Sequence, residues 1–413
     1  MKNIKITYPV SLFLAVAIVI PACGKVSEID EEATSVVTEA PVVTEAPVVT
    51  EVPVVTEVPV VTEAPPATEI VMEPLGRILY ISRPEGTEHG TTNAIFVMNA
   101  DGTEVQQLTD NDSLHSNPVW SPDGSQIVFE GERDGYSEIF VMNADGTEVR
   151  QLTDGFDDGY DFSQLSWSPE GDEIAFTSYV GEGFFDLMAV KPDGTDKREV
   201  LKYAQYSVWS PDGNHLAYNS NLFSRENIGV VSVDCEGCAD SDALWLSDNE
   251  DFDLLPTWSP DGTRIAFEKA TGDDVIWDVT ESNIFVMNAD GTEVQQLTDN
   301  ENFNSRPVWS PDGTRIAFES DRDGDSEIFV MNADGTEVRQ LTDHEGSAPL
   351  DSYEWIRANL STMVNGSLAW SPDGNYITFH TKREDVLEIS VVNIETGETY
   401  STGQEGYVAE WIN

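Results

Sequence analysis

The feature that most constrains this chain is a repeated pentapeptide. Trp followed by Ser-Pro-Asp/Glu-Gly stands at Trp120, Trp167, Trp209, Trp258, Trp309 and Trp370, at spacings of 47, 42, 49, 51 and 61 residues. Repeats of this length signal stacked copies of one supersecondary unit, and the residues of each copy say which unit. Pro307 to Ser310 reads as a short strand entering the turn Ser310-Pro311-Asp312-Gly313. Pro presets φ at the second turn position, and Gly at the fourth takes positive φ. Arg315 to Glu319 alternates polar and apolar side chains, the period of a half-buried strand. Ile328 to Asn332 supplies a third strand, Asp334-Gly335 a second turn, and Val338 to Thr342 an outer fourth strand. Each repeat is therefore one four-stranded antiparallel sheet.

Sets of second-to-fourth strands begin at Arg77, Gln126, Glu173, His215, Arg264, Arg315 and Tyr376, which makes seven, yet only six Trp-Ser-Pro strands precede them. The first set has no Trp strand before it. The missing strand is Val408-Ala409-Glu410-Trp411, two residues from the end. This is the pattern of a ring whose C-terminal strand completes the first blade, and closure removes the sheet edges that would otherwise aggregate. The fold expected is all-β: a closed β-propeller of seven four-stranded blades, about 49 residues each, with six blades as the fallback. Residues 95–111 repeat identically at 284–300 and 137–154 at 326–343, both offset by 189 residues, or four blades. Segmental duplication explains this.

The pattern Pro-Val-Trp-Ser-Pro-Asp-Gly, Ile-Phe-Val-Met-Asn-Ala-Asp-Gly, Leu-Thr-Asp resembles the WD40-like (PD40) repeats of the TolB family, over nearly all of 77–413. The resemblance implies the propeller fold. For function it implies less, because propellers of this kind serve both as binding proteins and as gating domains of peptidases. TolB proteins also carry an N-terminal α/β domain; here a stalk takes its place.

Residues 1–22 read as a signal peptide, with Lys2 and Lys5 before an apolar run from Val10 to Ile20 that is short for a membrane span. The run ends at Ile20-Pro21-Ala22-Cys23, which resembles the lipobox of bacterial lipoproteins and implies acylation of Cys23. An ordinary signal peptide with an incidental Cys is the alternative. Residues 23–74 form the lipid-bearing stalk, where Thr-Glu-Ala/Val-Pro-Val-Val recurs every six residues. Pro at that period blocks helix and Glu blocks a core, so the stalk reads as an extended spacer reaching on the order of 150 Å. The propeller occupies 75–413.

Charge narrows the partners. The chain carries 76 Asp and Glu against 21 Lys and Arg, a formal net charge of −55. Of this, 65 acids and 18 bases fall in residues 74–413, so the acidity belongs to the ring. Nucleic acid is excluded as a partner, since phosphate binding needs a basic patch. Anionic lipid is disfavoured, and acidic polysaccharide too unless metal ions bridge, which leaves the lipid anchor as the membrane contact. The partner expected is an envelope or extracellular protein, peptide or glycan, bound by a monomer.

Turns between first and second strands, and most between third and fourth, are short and monotonous and emerge on one face. The second-to-third and fourth-to-first connections emerge on the other and hold the length variation: 82–94, 177–185, 247–256, 268–283 and 342–367. Function in such folds sits on loops held by a rigid scaffold, so this variable face is where a ligand is expected. Candidate contacts are Phe184, Phe185, Trp277, Tyr353 and Trp355. Tyr353, Ile356, Leu360, Met363 and Val364 form a one-sided helical stripe, either a helix packed over blades 6 and 7 or a lid.

Three groups are candidates for metal. Asp321, Asp323 and Asp325 resemble a calcium loop, but Gly324 falls at its fourth place where the sixth is needed; a polar turn is the other reading. His89, His115, His344 and His380 map to neighbouring blades of the variable face, where transition-metal ligation would need three imidazoles converging. Cys235 and Cys238 share a hairpin tip, where a disulfide is favoured outside the cytoplasm. No cofactor is otherwise expected. Trp120, Trp167, Trp209, Trp258, Trp309, Trp370 and Trp411 occupy one place per repeat and read as packing between blades. Without a Gly-x-Ser-x-Gly elbow, Walker loop or His-Glu-x-x-His motif, the expected function is non-catalytic binding by an extracytoplasmic lipoprotein. The alternative is a propeller enzyme, a metal-dependent polysaccharide lyase or glycoside hydrolase using His and carboxylates of the variable face.

Overall fold

A computed structural model describes residues 76–83, 92–110, 113–154, 162–181, 184–220, 227–235, 238, 243–247, 251–272, 279–322, 324, 326–343, 368–383 and 386–412. The stalk, Cys23, His89, Trp277, Asp323, Asp325, His344, Tyr353 and Trp355 lie outside them, as does the helical stripe. Strands of the described residues form seven four-stranded antiparallel sheets arranged as a ring, a seven-bladed propeller.

Ring closure follows the chain ends. In blade 1 the first strand is Tyr407–Ile412, and it pairs with the second strand, Arg77–Ser82, through Arg77↔Ile412, Ile78↔Trp411 and Leu79↔Glu410. The first strands of blades 2 to 7 are His115–Trp120, Phe162–Trp167, Ala204–Trp209, Phe252–Trp258, Asn304–Trp309 and Ala369–Trp370. These strands pack on one another around the axis, with Tyr407–Ile412 touching its counterparts in blades 2 and 7. They therefore line the central channel. Second strands begin where the sequence places them, apart from blade 3, which starts at Ile174.

The recurring turn is built from its own side chains. In blade 6, Gly313 has φ +69 and donates its N–H to the Ser310 carbonyl at 2.8 Å. The Asp312 carboxylate accepts from the Ser310 hydroxyl at 2.6 Å and from the Thr314 N–H at 3.0 Å, and these bonds hold its pKa low. Hence the turn Asp is turn chemistry, used again at Asp123, Asp212, Asp261 and Asp373.

The outer strand differs from the expectation. Val338 to Thr342 reads as five residues of strand, but only Arg339–Gln340 is strand. Beyond it a side chain replaces backbone: Leu341 N–H donates to the Ile328 carbonyl at 2.7 Å, while the Thr342 hydroxyl oxygen accepts from Ile328 N–H at 3.0 Å. Thr109, Thr153 and Thr298 do the same for Ile95, Ile139 and Ile284. The repeated Leu-Thr thus closes the third strand's open edge while keeping the outer strand too short to template another chain.

Two stretches read as loops are strand. In blade 5 the second and third strands run over Arg264–Gly272 and Val279–Asn288, and in blade 3 over Ile174–Gly181 and Phe184–Val190. The blade 5 extension has its own small core, with Phe252, Leu254, Ala270 and Val279 buried together and Leu255 and Phe303 packed against it. That burial makes the extra hairpin length stable on the variable face.

Candidate functional site

The main hydrophobic clusters are shared between neighbours: Trp167 and Ile174 of blade 3 pack with Val119, Val128 and Ile139 of blade 2. Five of the repeat Trp residues then make one specific bond. The indole N–H donates to the carbonyl of the residue before the Trp in the preceding blade: Trp167 to Val119, Trp209 to Ser166, Trp258 to Val208, Trp309 to Thr257 and Trp370 to Val308, at 3.1–3.3 Å. At the seam beside the closing strand the arrangement changes. There Trp120 Nε1 has no partner among the described residues, and the Trp120 backbone N–H donates to Glu410 Oε2 at 2.6 Å. Burial raises the Glu410 pKa to about 7. Trp411 is buried at the same level of blade 1.

A second belt of ties lies toward the variable face. First strands of blades 2 to 6 each carry a bulge whose middle residue takes positive φ: Asn117, Gln164, Tyr206, Leu255 and Arg306, at 46–60°. A bulge turns one backbone N–H away from its own sheet, and in blades 3, 4 and 5 a side chain of the preceding blade collects it. Gln164 N–H donates to Glu130 Oε1 at 3.0 Å, Tyr206 N–H to Gln164 Oε1 at 2.7 Å, and Leu255 N–H to Asn219 Oδ1 at 3.1 Å. Glu130 also accepts from Asn117 Nδ2 at 2.8 Å and the Ser116 hydroxyl at 3.1 Å. Desolvation nonetheless raises its pKa to about 7.

Glu130 and Asn219 hold one structural position, opposite an Ile of the third strand. The position is filled by Ile81, Glu130, Thr177, Asn219, Glu268, Glu319 and His380 around the ring, with Leu187 replacing the Ile opposite Thr177. In blade 6, Arg306 Nη1 stands 3.6 Å from Glu319 Oε1, both largely buried. Sequence reasoning passed over this belt, because its partners come from the neighbouring blade. The only local signal is a polar residue at the fifth place of an otherwise apolar strand.

His380 follows Glu319 in this belt. Its ring meets Tyr407 edge to face at 5.9 Å between centroids. Burial lowers its pKa to about 4; Glu319 opposes the shift and Arg306 adds to it. The imidazole is therefore neutral at pH 7, and among the described residues Nδ1 has no hydrogen-bond partner. His115 sits elsewhere in function. It is 8% exposed, its Nδ1 lies 3.1 Å from the Asn93 carbonyl and its Nε2 3.4 Å from the Ser113 hydroxyl, and it packs on Phe129. Both nitrogens face protein partners, which makes it a poor metal ligand. Asp321 accepts from Phe303 N–H at 2.8 Å and opens the turn closed by Gly324. No group of three or more His, Cys, Asp or Glu that could hold a metal ion occurs among the described residues.

Cys235 and Cys238 are joined by a disulfide with Cα atoms 5.7 Å apart. Cys238 N–H donates to the Val200 carbonyl of blade 3 at 3.1 Å, so the bonded tip also clasps the neighbouring blade. Phe184 and Phe185, each partly exposed, open the third strand of blade 3 and point to opposite faces of its sheet. Tyr179 and Phe185 lie 5.3 Å apart, and Phe184 meets Tyr203 at 5.1 Å. Tyr179 and Tyr203 join from the second strand and from the connection to blade 4, contributions that the sequence did not reveal.

The comparisons with known proteins agree with this architecture. The chain is 29% identical over 264 residues to "Dipeptidyl-peptidase 5" of Porphyromonas gingivalis, which covers 62% of this chain and 37% of that one. It thus spans well under half the length of that relative. Among solved structures, a puromycin-hydrolyzing peptidase of Mycobacterium tuberculosis superposes with a TM-score of 0.59 at 14% identity, covering 79% of this chain and 52% of that one. An oligogalacturonate lyase of Vibrio parahaemolyticus does so with a TM-score of 0.56 at 12% identity, covering 74% and 84%. At these identities the structural likeness concerns the fold. The family model for the "TolB beta propeller domain" (PD40) matches residues 74–236 and 181–352. A ring that reuses one turn in six blades, one Trp seam in five and one Leu-Thr edge in four, matched by that model over more than half the chain's length, belongs to the TolB beta propeller family.

Proposed function

We propose that this chain is an extracytoplasmic, lipid-anchored binding protein whose variable face takes a protein, peptide or glycan partner without catalysis. The observation that carries this reading is the contrast between the two faces. One is a set of near-identical turns whose carboxylates are bonded within the turn. The other bears the blade 5 hairpin with its own core, the two blade 3 aromatic pairs and the Arg306–Glu319 pair. Polar groups deeper in the ring, Glu130, Gln164 and Asn219, are engaged in ties between blades, which suits a rigid platform. The anchor in this reading is Cys23, with the stalk holding the ring away from the membrane.

Cross-linking of the full chain in its native envelope tests the binding face. Cross-links to a partner should fall on 82–94, 177–185, 268–283 and 342–367; a cluster on the Ser-Pro-Asp-Gly turns would overturn the reading. A Cys23→Ser protein should leave the detergent phase, and one that stays there refutes the anchor.

An enzymatic reading rests on a single observation, the neutral Nδ1 of His380, without a partner among the described residues, beside Glu319 and Arg306. Metal analysis of purified protein and turnover of a polyuronate before and after His380→Gln test it. Absence of turnover in both proteins rejects that reading.

A further inference from the structure

Blade 3 ends differently from the blades built on Leu-Thr. Lys202 follows Leu201 where blades 1, 2, 5 and 6 place the Thr that ends the outer strand. The outer strand of blade 3, Arg198–Leu201, accordingly runs to four residues, against two in each of those blades. A longer outer strand offers more backbone at its free side, which folded proteins cover or blunt. Here the cover comes from blade 4. Cys238 lies beside Leu201 as a parallel bridge, and its N–H donates to the Val200 carbonyl at 3.1 Å.

Other seams on this rim are tied by side chains. Gln106 Nε2 donates to the Asp145 carbonyl at 3.2 Å, Arg150 Nη2 to that of Pro192 at 2.6 Å and Gln295 Nε2 to that of Asp334 at 3.1 Å. Between blades 3 and 4 Arg198 Nη2 does the same to the Val233 carbonyl at 3.0 Å. A backbone bond is added there, and its donor is one half of a disulfide.

The two halves are unequally placed. Cys238 is 7% exposed and packs with Val200 and Leu201 of blade 3 and with Val231 and Val233 of blade 4, whereas Cys235 is partly exposed at the margin of that cluster. Both lie outside the neighbouring strands of blade 4, Ile228–Ser232 and Leu244–Trp245. Breaking the bond therefore frees the tip that carries Cys238 and leaves the strand pairing of the blade in place.

We propose that the Cys235–Cys238 disulfide is a redox-sensitive clasp. Oxidised, it holds Cys238 on Val200 and closes the free edge of Arg198–Leu201; reduced, it lets the tip leave and the edge open. The reductant is a dithiol. Its thiolate attacks Sγ of Cys235, the S–S bond breaks, and the electron pair passes to Sγ of Cys238, which takes a proton from water. The second thiol of the reductant, losing its proton to water, then attacks the mixed disulfide, releasing Cys235 as a thiol and the reductant as its own disulfide. The chain gains two electrons and two protons. Because the clasp sits among the turns opposite the variable face, it operates whatever that face binds.

Hydrogen exchange of the full chain, read by mass spectrometry with and without dithiothreitol, tests this. Alkylation mapped to Cys235 and Cys238 reports the state of the bond. After reduction the peptides covering 198–201 and 238 should exchange about tenfold faster or more, the order expected when a short closed loop is released. Gln126–Arg133 of blade 2 and Arg315–Ser320 of blade 6 should keep their rates. Cys235→Ser/Cys238→Ser should show the fast rates without dithiothreitol and no response to it. A bond that resists dithiothreitol in the folded chain, or unchanged exchange at 198–201 once it is broken, would overturn the proposal. Faster exchange in all blades together would overturn it too, since the disulfide would then staple the whole ring.

Discussion

Replacing Glu130 by Gln should make the ring more stable at neutral pH, although a charged hydrogen-bond acceptor is removed. Glu130 is 6% exposed; among the described residues no cation stands beside it, and its partners are Asn117, Ser116 and the Gln164 backbone. Desolvation outweighs those bonds and raises the pKa from 4.5 to about 7. Below pH 4.5 the carboxyl is protonated in folded and unfolded chains alike, and it makes no difference to stability. Between these values the unfolded chain ionises while the folded one stays protonated, so stability falls as pH rises, and above about 7 the loss is complete. At about 1.4 kcal/mol per pH unit this amounts to about 3 kcal/mol. Gln keeps an oxygen for Asn117 and Gln164 and can turn one amide N–H toward the Ser116 hydroxyl oxygen, so the cost of the exchange is confined to its second N–H and the Ser116 O–H. With an unfolding entropy of about 2.1 cal/mol/K per residue over about 340 residues, the gain at pH 8 corresponds to roughly 4 °C in Tm. Differential scanning calorimetry of both proteins from pH 4 to pH 8 measures it. The curves should meet near pH 4 and separate with Glu130→Gln above. A pH-independent offset, or a lower Tm for the variant at pH 8, would refute the reasoning.

Other perturbations test the seams one at a time. Trp309→Phe strands the Thr257 carbonyl, whereas Trp120→Phe removes an indole N–H that has no partner among the described residues. Urea unfolding should therefore show Trp309→Phe as the costlier change by about 1 kcal/mol. Thr342→Val leaves Ile328 N–H without its acceptor inside the sheet and should cost about 1–3 kcal/mol by the same measurement. Removing residues 408–413 takes away the strand that pairs with Arg77–Ser82, together with the buried Trp411. The truncated chain should melt well below the intact one, and an unchanged melt would contradict closure through that strand.

The fold was legible because its determinants are local and repeated. Ser310, Pro311, Asp312 and Gly313 specify one turn by φ preference and side-chain bonding, and six such turns at blade spacing leave few architectures open. The unmatched strand ending in Trp411 marks ring closure in the sequence, and its pairing with Arg77–Ser82 is that closure. Local reasoning overshot where a side chain substitutes for backbone, as at Thr342, whose hydroxyl ends the outer strand two residues earlier than its β-prone sequence suggests. It undershot at Arg264–Gly272 and Val279–Asn288, where apolar residues of a neighbouring connection, such as Phe303, cover the extended hairpin.

The site was less legible. Phe184 and Phe185 stood out as aromatics beside a loop, but Tyr203 meets Phe184 only because a turn some twenty residues later returns to blade 3. His115 and His380 look alike in sequence, yet one is bonded through both nitrogens and the other faces Tyr407 with Nδ1 unpartnered among the described residues. Sequence by itself determined the repeat, the blade count, the order of closure and the acidity of the ring, since each depends on residue type at a fixed spacing. Tertiary structure decided which polar residues tie blades together. Glu130 finds the Gln164 N–H 34 residues away and Glu410 finds Trp120 290 residues away, and contacts between blades depend on bulge geometry and ring curvature that no single repeat encodes.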